Sequence, residues 1–227
     1  MRCAMLREIH SADDIWNLVQ EIGFLPLFQN EIGGFSIEER TPPHLWFSDT
    51  EPGPWEWKGP VIQMGDCFYG KFFAGKAGYV SKKWFLDFAN YRRDGYDFDA
   101  LYDDGLAARK DKTIYDTITE HGSLLTGELK KLCNYVKGGN KGFDTIITRL
   151  QMETYVVVKD FVYSQNRYGE TYGWGIAEYS TPEMLFGDDF FREVYRTEPS
   201  ESRQKVYAHL TNIFPQATES QLKKLLK

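Results

Sequence analysis

The sequence predicts an α+β, mostly helical fold with a winged helix-turn-helix at its centre, over residues 109–180. Three observations carry that expectation. Between residues 110 and 151, apolar side chains recur at three- and four-residue spacing, the mark of helices that bury one face. Two β-rich runs follow, 155–163 and 171–179, separated by a polar stretch at 164–170, which together read as a hairpin. Three helices and then a hairpin, within about 70 residues, is a specific order of elements. On either side, 1–108 reads as an N-terminal α/β region and 181–227 as a C-terminal helical segment.

Along the N-terminal region, Ser11 is placed to cap a helix through Ile15, Leu18, Val19 and Ile22 that stops at Gly23. Residues 24–60 are rich in Pro, Gly and Trp and read as an irregular connection. Asp66 is the expected cap of a short helix to Ala74, with a strand over 77–80 and a helix from Ser81 through Trp84, Phe85, Phe88 and Tyr91. The acidic stretch 94–104 reads as a loop.

Within the centre, a first helix containing Ile114 and Ile118 ends at Gly122. Thr126 caps a second, with Leu129 and Leu132 inward and Lys130 and Lys131 outward. Lys137-Gly-Gly-Asn140 is the turn, and Asn140 caps a third helix. That helix buries Phe143, Ile146, Ile147 and Leu150 and exposes Thr145, Thr148 and Gln151, with Lys141 beside it. The remainder is helical: a turn after Pro182, a segment at 190–195, one at 202–214, and a last helix capped by Thr218.

The chain has 227 residues, of which 42% are hydrophobic and 16% aromatic, enough for a large packed core. No apolar run reaches the length of a membrane span, and no signal-peptide pattern opens the chain, which places it in the cytoplasm with no membrane partner. Cys3, Cys67 and Cys133 are scattered, and His10, His44, His121 and His209 are isolated, so neither a disulfide framework nor a metal site is expected. The net charge is -6, unevenly spread. Residues 1–69 carry four basic and eleven acidic side chains, whereas 70–93 carry six basic against Asp87 alone. Residues 123–149 carry five basic against two acidic. Two basic islands in an acidic chain make one positive face if they fold side by side, and two ordinary solvated surfaces if they do not.

Catalytic motifs fail on chemistry. Gly70-Lys-Phe-Phe-Ala-Gly75-Lys76-Ala77 approaches a phosphate-binding loop, but Ala77 stands where magnesium needs a hydroxyl, and Phe72 and Phe73 crowd the loop. No G-x-S-x-G elbow is present. Trp46, Trp55 and Trp57 read as packing anchors rather than a base-stacking wall. For the third helix the functional reading is entry into a DNA major groove, with Lys141 near phosphates and Thr145 and Thr148 near base edges. The candidate DNA-contacting residues are Lys71, Lys76, Lys130, Lys131, Lys137, Asn140, Lys141, Thr145, Thr148 and Arg167 in the hairpin tip. No arginine or asparagine is aimed at a base, so weak or shape-selective binding is expected. A protein-docking role for the same fold is the alternative.

The order of elements resembles the winged-helix DNA glycosylases of the AlkZ type, which remove alkylated and crosslinked bases, and most closely their shorter AlkZ-related cousins. The segments that carry the resemblance are Trp55-Glu-Trp-Lys58, Phe68-Tyr-Gly-Lys-Phe-Phe-Ala-Gly-Lys-Ala-Gly-Tyr-Val-Ser81 and Phe88-Ala-Asn-Tyr-Arg-Arg-Asp-Gly-Tyr-Asp-Phe-Asp99. Lys141-Gly-Phe-Asp-Thr-Ile-Ile-Thr-Arg-Leu-Gln151 and Tyr172-Gly-Trp174 belong to it as well. It implies tandem winged-helix units around DNA, hence a second winged-helix-like unit in the N-terminal region, and no cofactor. The glycosylases carry Q-x-Q or Q-x-D after a glycine that follows their first helix. Here the stretch Gly23-Phe-Leu-Pro-Leu-Phe28 puts Pro26 and Phe28 at those positions, so the resemblance transfers the scaffold and not the chemistry. A glycosylase would need another carboxylate, with Glu31, Glu56 and Asp66 as the choices.

Overall fold

The computed structural model describes residues 7–48, 50–168 and 171–227, without the side chains of 171–174, 188 and 190. Cys3, the 169–170 end of the expected hairpin tip, and the side chains of Tyr172 and Trp174 lie outside the described residues. The architecture is α+β: helices cover both sides of an antiparallel sheet of order β1-β3-β2-β5-β6-β4.

Helix α1, Ala12–Ile22, forms as its sequence dictates. The Ser11 hydroxyl accepts a hydrogen bond from the Asp14 backbone N–H, and Gly23, at φ 83°, ends the helix. The stretch expected to be irregular holds more order than its Pro and Gly content suggests. It contains strand β1 (Phe24–Pro26), helix α2 (Ile37–Arg40), a 3-10 turn (Pro43–Trp46) and helix α3 (Pro54–Gln63). Strand β1 is three residues long and buried throughout, so no alternation marks it. Helix α3 tolerates Pro54 in its first turn and carries Pro60 in its interior. The carboxylate of Glu56 accepts the Gly53 N–H at 2.9 Å, and Trp57 and Val61 are driven into the core.

The helix expected over 66–74 is instead a strand. Strands β2 (Cys67–Phe73) and β3 (Lys76–Ser81) make a hairpin through Ala74 and Gly75. Nearly every residue of β2 is buried, because the strand is covered on both faces, and this erases the period-two pattern. Gly70 and Gly78 face each other across the ladder. Any Cβ at Gly78 would stand 2.5 Å from the Phe73 ring and 2.7 Å from the Leu25 carbonyl, so this crossing needs glycine. Helix α4 (Lys82–Arg93) follows Ser81 as expected, although the Ser81 side chain makes no capping bond. The acidic stretch holds helix α5 (Phe98–Asp103), capped by Asp97 through the Ala100 N–H.

The centre holds α6 (Arg109–His121), β4 (Ser123–Leu125), α7 (Thr126–Leu132), α8 (Phe143–Met152), β5 (Val157–Gln165) and β6 (Thr171–Ser180). Three helices and a hairpin stand in the expected order, joined by a strand that was not foreseen: β4 pairs with β6. Local details differ. Thr126 opens α7 rather than capping it, and its hydroxyl donates to the Ala177 carbonyl at 2.9 Å. Leu129 is buried, but Leu132 is 53% exposed. Asn140 does not cap α8; Gly142, at φ 90°, precedes it, and the Asn140 amide donates to the Cys133 carbonyl to close the turn. Tyr155 precedes β5, held by its hydroxyl on the Tyr96 carbonyl.

Helices α9 (Pro182–Phe186), α10 (Asp188–Arg192), α11 (Pro199–Ile213) and α12 (Glu219–Leu225) complete the chain, the last capped by Thr218 as expected. Arg93 ties this segment to the rest. Its buried guanidinium donates to Glu183 at 2.7 Å, to the Tyr195 hydroxyl at 2.8 Å and to the Thr154 carbonyl at 2.8 Å. Burial alone would lower its pKa, yet Glu183 and Tyr195 outweigh burial and raise it. Removing Glu183 would leave a buried charge unmatched.

Candidate nucleic-acid interface

Helix α8 buries Phe143, Ile146, Ile147 and Leu150, as its spacing requires. Its next row is not free. Gln151, expected on the surface, is 1% exposed: its side-chain oxygen accepts the Lys71 backbone N–H at 3.2 Å, and its amide donates to the Ile147 carbonyl. Strand β2 thus lies along α8. One residue of that strand also reaches over the helix, for Lys71 Nζ donates to the Thr148 hydroxyl at 3.1 Å. The β2–β3 turn rests on the same helix, since a Cβ at Gly75 would stand 3.6 Å from both Met152 Sδ and Thr148 Cγ2.

An open groove of about 670 Å3 runs along this seam, lined among others by Lys71, Arg92, Thr145, Thr148, Arg149 and Glu153. Arg92 is anchored beneath it, its guanidinium donating to the Met152 carbonyl at 2.7 Å and to the Leu226 carbonyl. Burial lowers the Arg92 pKa, partly offset by Tyr91 and Glu153. Arg149 forms an ion pair with buried Asp111 at 2.5 Å. Burial raises the Glu153 pKa against the opposing pull of Arg149. Among the described residues, the hydrogen-bond partner of Lys71 Nζ is the neutral Thr148 hydroxyl.

The sequence-chosen residues divide into those this seam gathers and those it does not. Lys71, Thr145 and Thr148 share the groove, and Lys141 is exposed just before α8. Lys130 is drawn to Asp144 at 3.4 Å and lies over the Phe143 ring. Lys131 and Lys137 are exposed. Asn140 serves the turn. Arg167 lies over the Tyr168 ring at the hairpin tip. Lys76 lines a separate recess of about 370 Å3 with Gln29, Glu31 and Lys224. Arg92 and Arg149 were counted in the basic islands but not singled out. Arg149 was findable, because it stands four residues after Thr145 and so on the same helical face.

The positions where the resemblance would put a polar pair are apolar here in three dimensions too. Pro26 is buried opposite Gly78 in β1. Phe28 is stacked on Trp46, with ring centroids 6.4 Å apart, and stands 6.0 Å from Trp55. The tryptophans near it are packing anchors, as expected. The alternative carboxylates have other partners or none: Glu31 pairs with Lys224, Glu56 caps α3, and Asp66 is exposed. Among the described residues, no group of three or more His, Cys, Asp or Glu is placed to hold a metal, and no helix is long and apolar enough to cross a membrane.

The chain belongs to the AlkZ-related family, whose model matches residues 9–227 and so covers nearly all of it. That membership relates it to the DNA-repair glycosylases of the AlkZ type. Searches of curated proteins and of solved structures return no match.

Proposed function

We propose that this chain is a winged-helix DNA-binding protein, related to the DNA-repair glycosylases and without their catalytic motif. The observation that carries the reading is the hydrogen bond from Lys71 to Thr148, which brings one lysine of the basic segment 70–93 onto helix α8 of the segment 123–149. The order helix, strand, helix, helix, hairpin over 109–180, with β4 closing onto β6, is that of a winged helix. Residues 1–108 form the region that braces it, and 181–227 close the back. With a net charge of -6, attraction to DNA is confined to this surface, and binding is weak and shape-selective. Short duplexes titrated at increasing salt should bind with a log–log slope of roughly -4 to -5, for about four to six neutralised phosphates. Binding that ignores salt, or none at low salt, would refute the reading. Lys141→Glu should weaken binding more than Lys224→Glu, because Lys141 stands just before α8, whereas Lys224 lies on α12 and pairs with Glu31.

Catalysis is absent from this reading. Cleaving a glycosidic bond needs a group that orients water and negative charge near the sugar cation. Buried Pro26 and the ring of Phe28, which packs on Trp46, offer no polar side chain at the position in question. Alkylated duplex should therefore release no 7-methylguanine in single-turnover assays at high protein concentration. Clear release would restore the glycosylase reading, and substituting Glu31, Glu56 and Asp66 one at a time would find the group responsible. A protein-docking role has one observation in its favour: Val162 and Ile176 face each other across the hairpin and are both 42% exposed.

A further inference from the structure

Resting on that reading, we infer that α8 meets DNA through a backbone phosphate seated in the groove beside β2, and that this helix does not read base edges in the major groove. A helix that enters a major groove must present its outer face free of other chain. Here that face is occupied. Going around the helix from the core, Gln151 is bound to strand β2, Thr148 to Lys71, Met152 lies under the β2–β3 turn, and Arg149 is held by Asp111. Asp144 and Thr145 are the exposed residues of α8, both in its first turn. Asp144 is an anion drawn to Lys130, which leaves Thr145 as the neutral hydrogen-bonding group of that first turn open to a base.

What remains open is suited to phosphate instead. Lys71 is a point charge whose hydroxyl partner does not neutralise it. The Thr148 hydroxyl, which accepts from Lys71, keeps its own O–H to donate, and Thr145 adds a second. Arg149 contributes positive potential from the groove wall while remaining tied to Asp111. Asp144 and Glu153 flank the groove and limit its affinity, in keeping with one phosphate contact rather than a deep anion site. The docked hairpin thus converts a sequence-reading element into a backbone-gripping one.

The test uses the full chain, with two duplexes of equal length and unrelated sequence, titrated at several salt concentrations. Lys71→Met keeps the apolar stem and the backbone N–H to Gln151 but removes the charge. It should weaken binding to both duplexes by the same factor and reduce the salt slope by about one, while Lys71→Arg restores both. Thr145→Ala should weaken binding to both duplexes by the same factor, about threefold for one lost phosphate donor. Lys71→Met binding like wild type, or a wild-type preference for one duplex that Thr145→Ala abolishes, would overturn the inference while leaving DNA binding intact. Failure of the wild-type chain to bind either duplex would overturn both.

Discussion

The molecule contains two β-hairpins that share a sheet and differ in almost everything else. The β2–β3 hairpin is walled in on both faces, and its turn rests on α8. Phe68, Phe72, Phe85 and Phe88 form an aromatic cluster beside it, with the Phe68 and Phe85 rings stacked at 3.6 Å and Phe72 edge-on to Phe85 and Phe88. The β5–β6 hairpin leaves the core beyond Phe161, and Val162, Tyr168 and Ile176 on its far half are exposed. The first hairpin is held by burial along nearly all of β2, whereas the far half of the second is held mainly by its own ladder. The difference separates roles. A brace must be rigid to keep Lys71 over α8, while an arm can vary its surface without cost to the fold.

The largest effect expected from this contrast is on stability. Phe72→Ala, at a fully buried ring of the braced hairpin, should cost about 3–5 kcal/mol in denaturant unfolding. Gln151→Leu should come next, at about 1–3 kcal/mol, because it leaves the Lys71 N–H without an acceptor beneath the strand. Val162→Ala on the arm should stay within about 0.5 kcal/mol. Equal losses at Phe72 and Val162 would show that the arm is as much a part of the core as the brace.

A smaller effect depends on pH. His209 stacks on Trp84 at 3.9 Å and hydrogen-bonds the Ile22 carbonyl, close to the edge strand β1. Burial lowers its pKa, and Lys83 lowers it further against the opposing hydrogen bond. The folded chain thus favours the neutral ring. Its contribution is fully present above the unfolded value of about 6.5 and is lost as pH falls through the lower folded value. The melting temperature should drop over that acidic interval, and His209→Gln should flatten this part of the profile. An unchanged profile would assign the acid response to other groups.

The same contrast explains what could be read in advance. In β5–β6 one face meets water, so polar and apolar residues mix along the strands and the polar tip stands out. In β2 the run Cys67-Phe-Tyr-Gly-Lys-Phe-Phe73 is apolar on both faces, and with Asp66 before it and Gly75 after it the pattern mimics a capped helix. Helices α1, α6 and α8 were legible because each buries one stripe and ends at or near a glycine or a turn. The groove itself was only half legible. Charge counting found Lys71, and helical spacing found Thr145 and Thr148. Gln151 looked like a surface residue because its burial comes from a strand far away in sequence, which no local pattern records.

The sheet also has a seam. Strands β2 and β5 pair through Tyr69 and Val158 alone, while β5 and β6 share a long ladder and β2 and β3 another. Each hairpin can close locally within microseconds, but joining them must wait until distant parts of the chain meet. Amide protons should record that history. Exchange at Lys71, whose N–H reaches the Gln151 side chain on α8, should report partial opening between β2 and that helix, well before the ladders of the two hairpins exchange through complete unfolding.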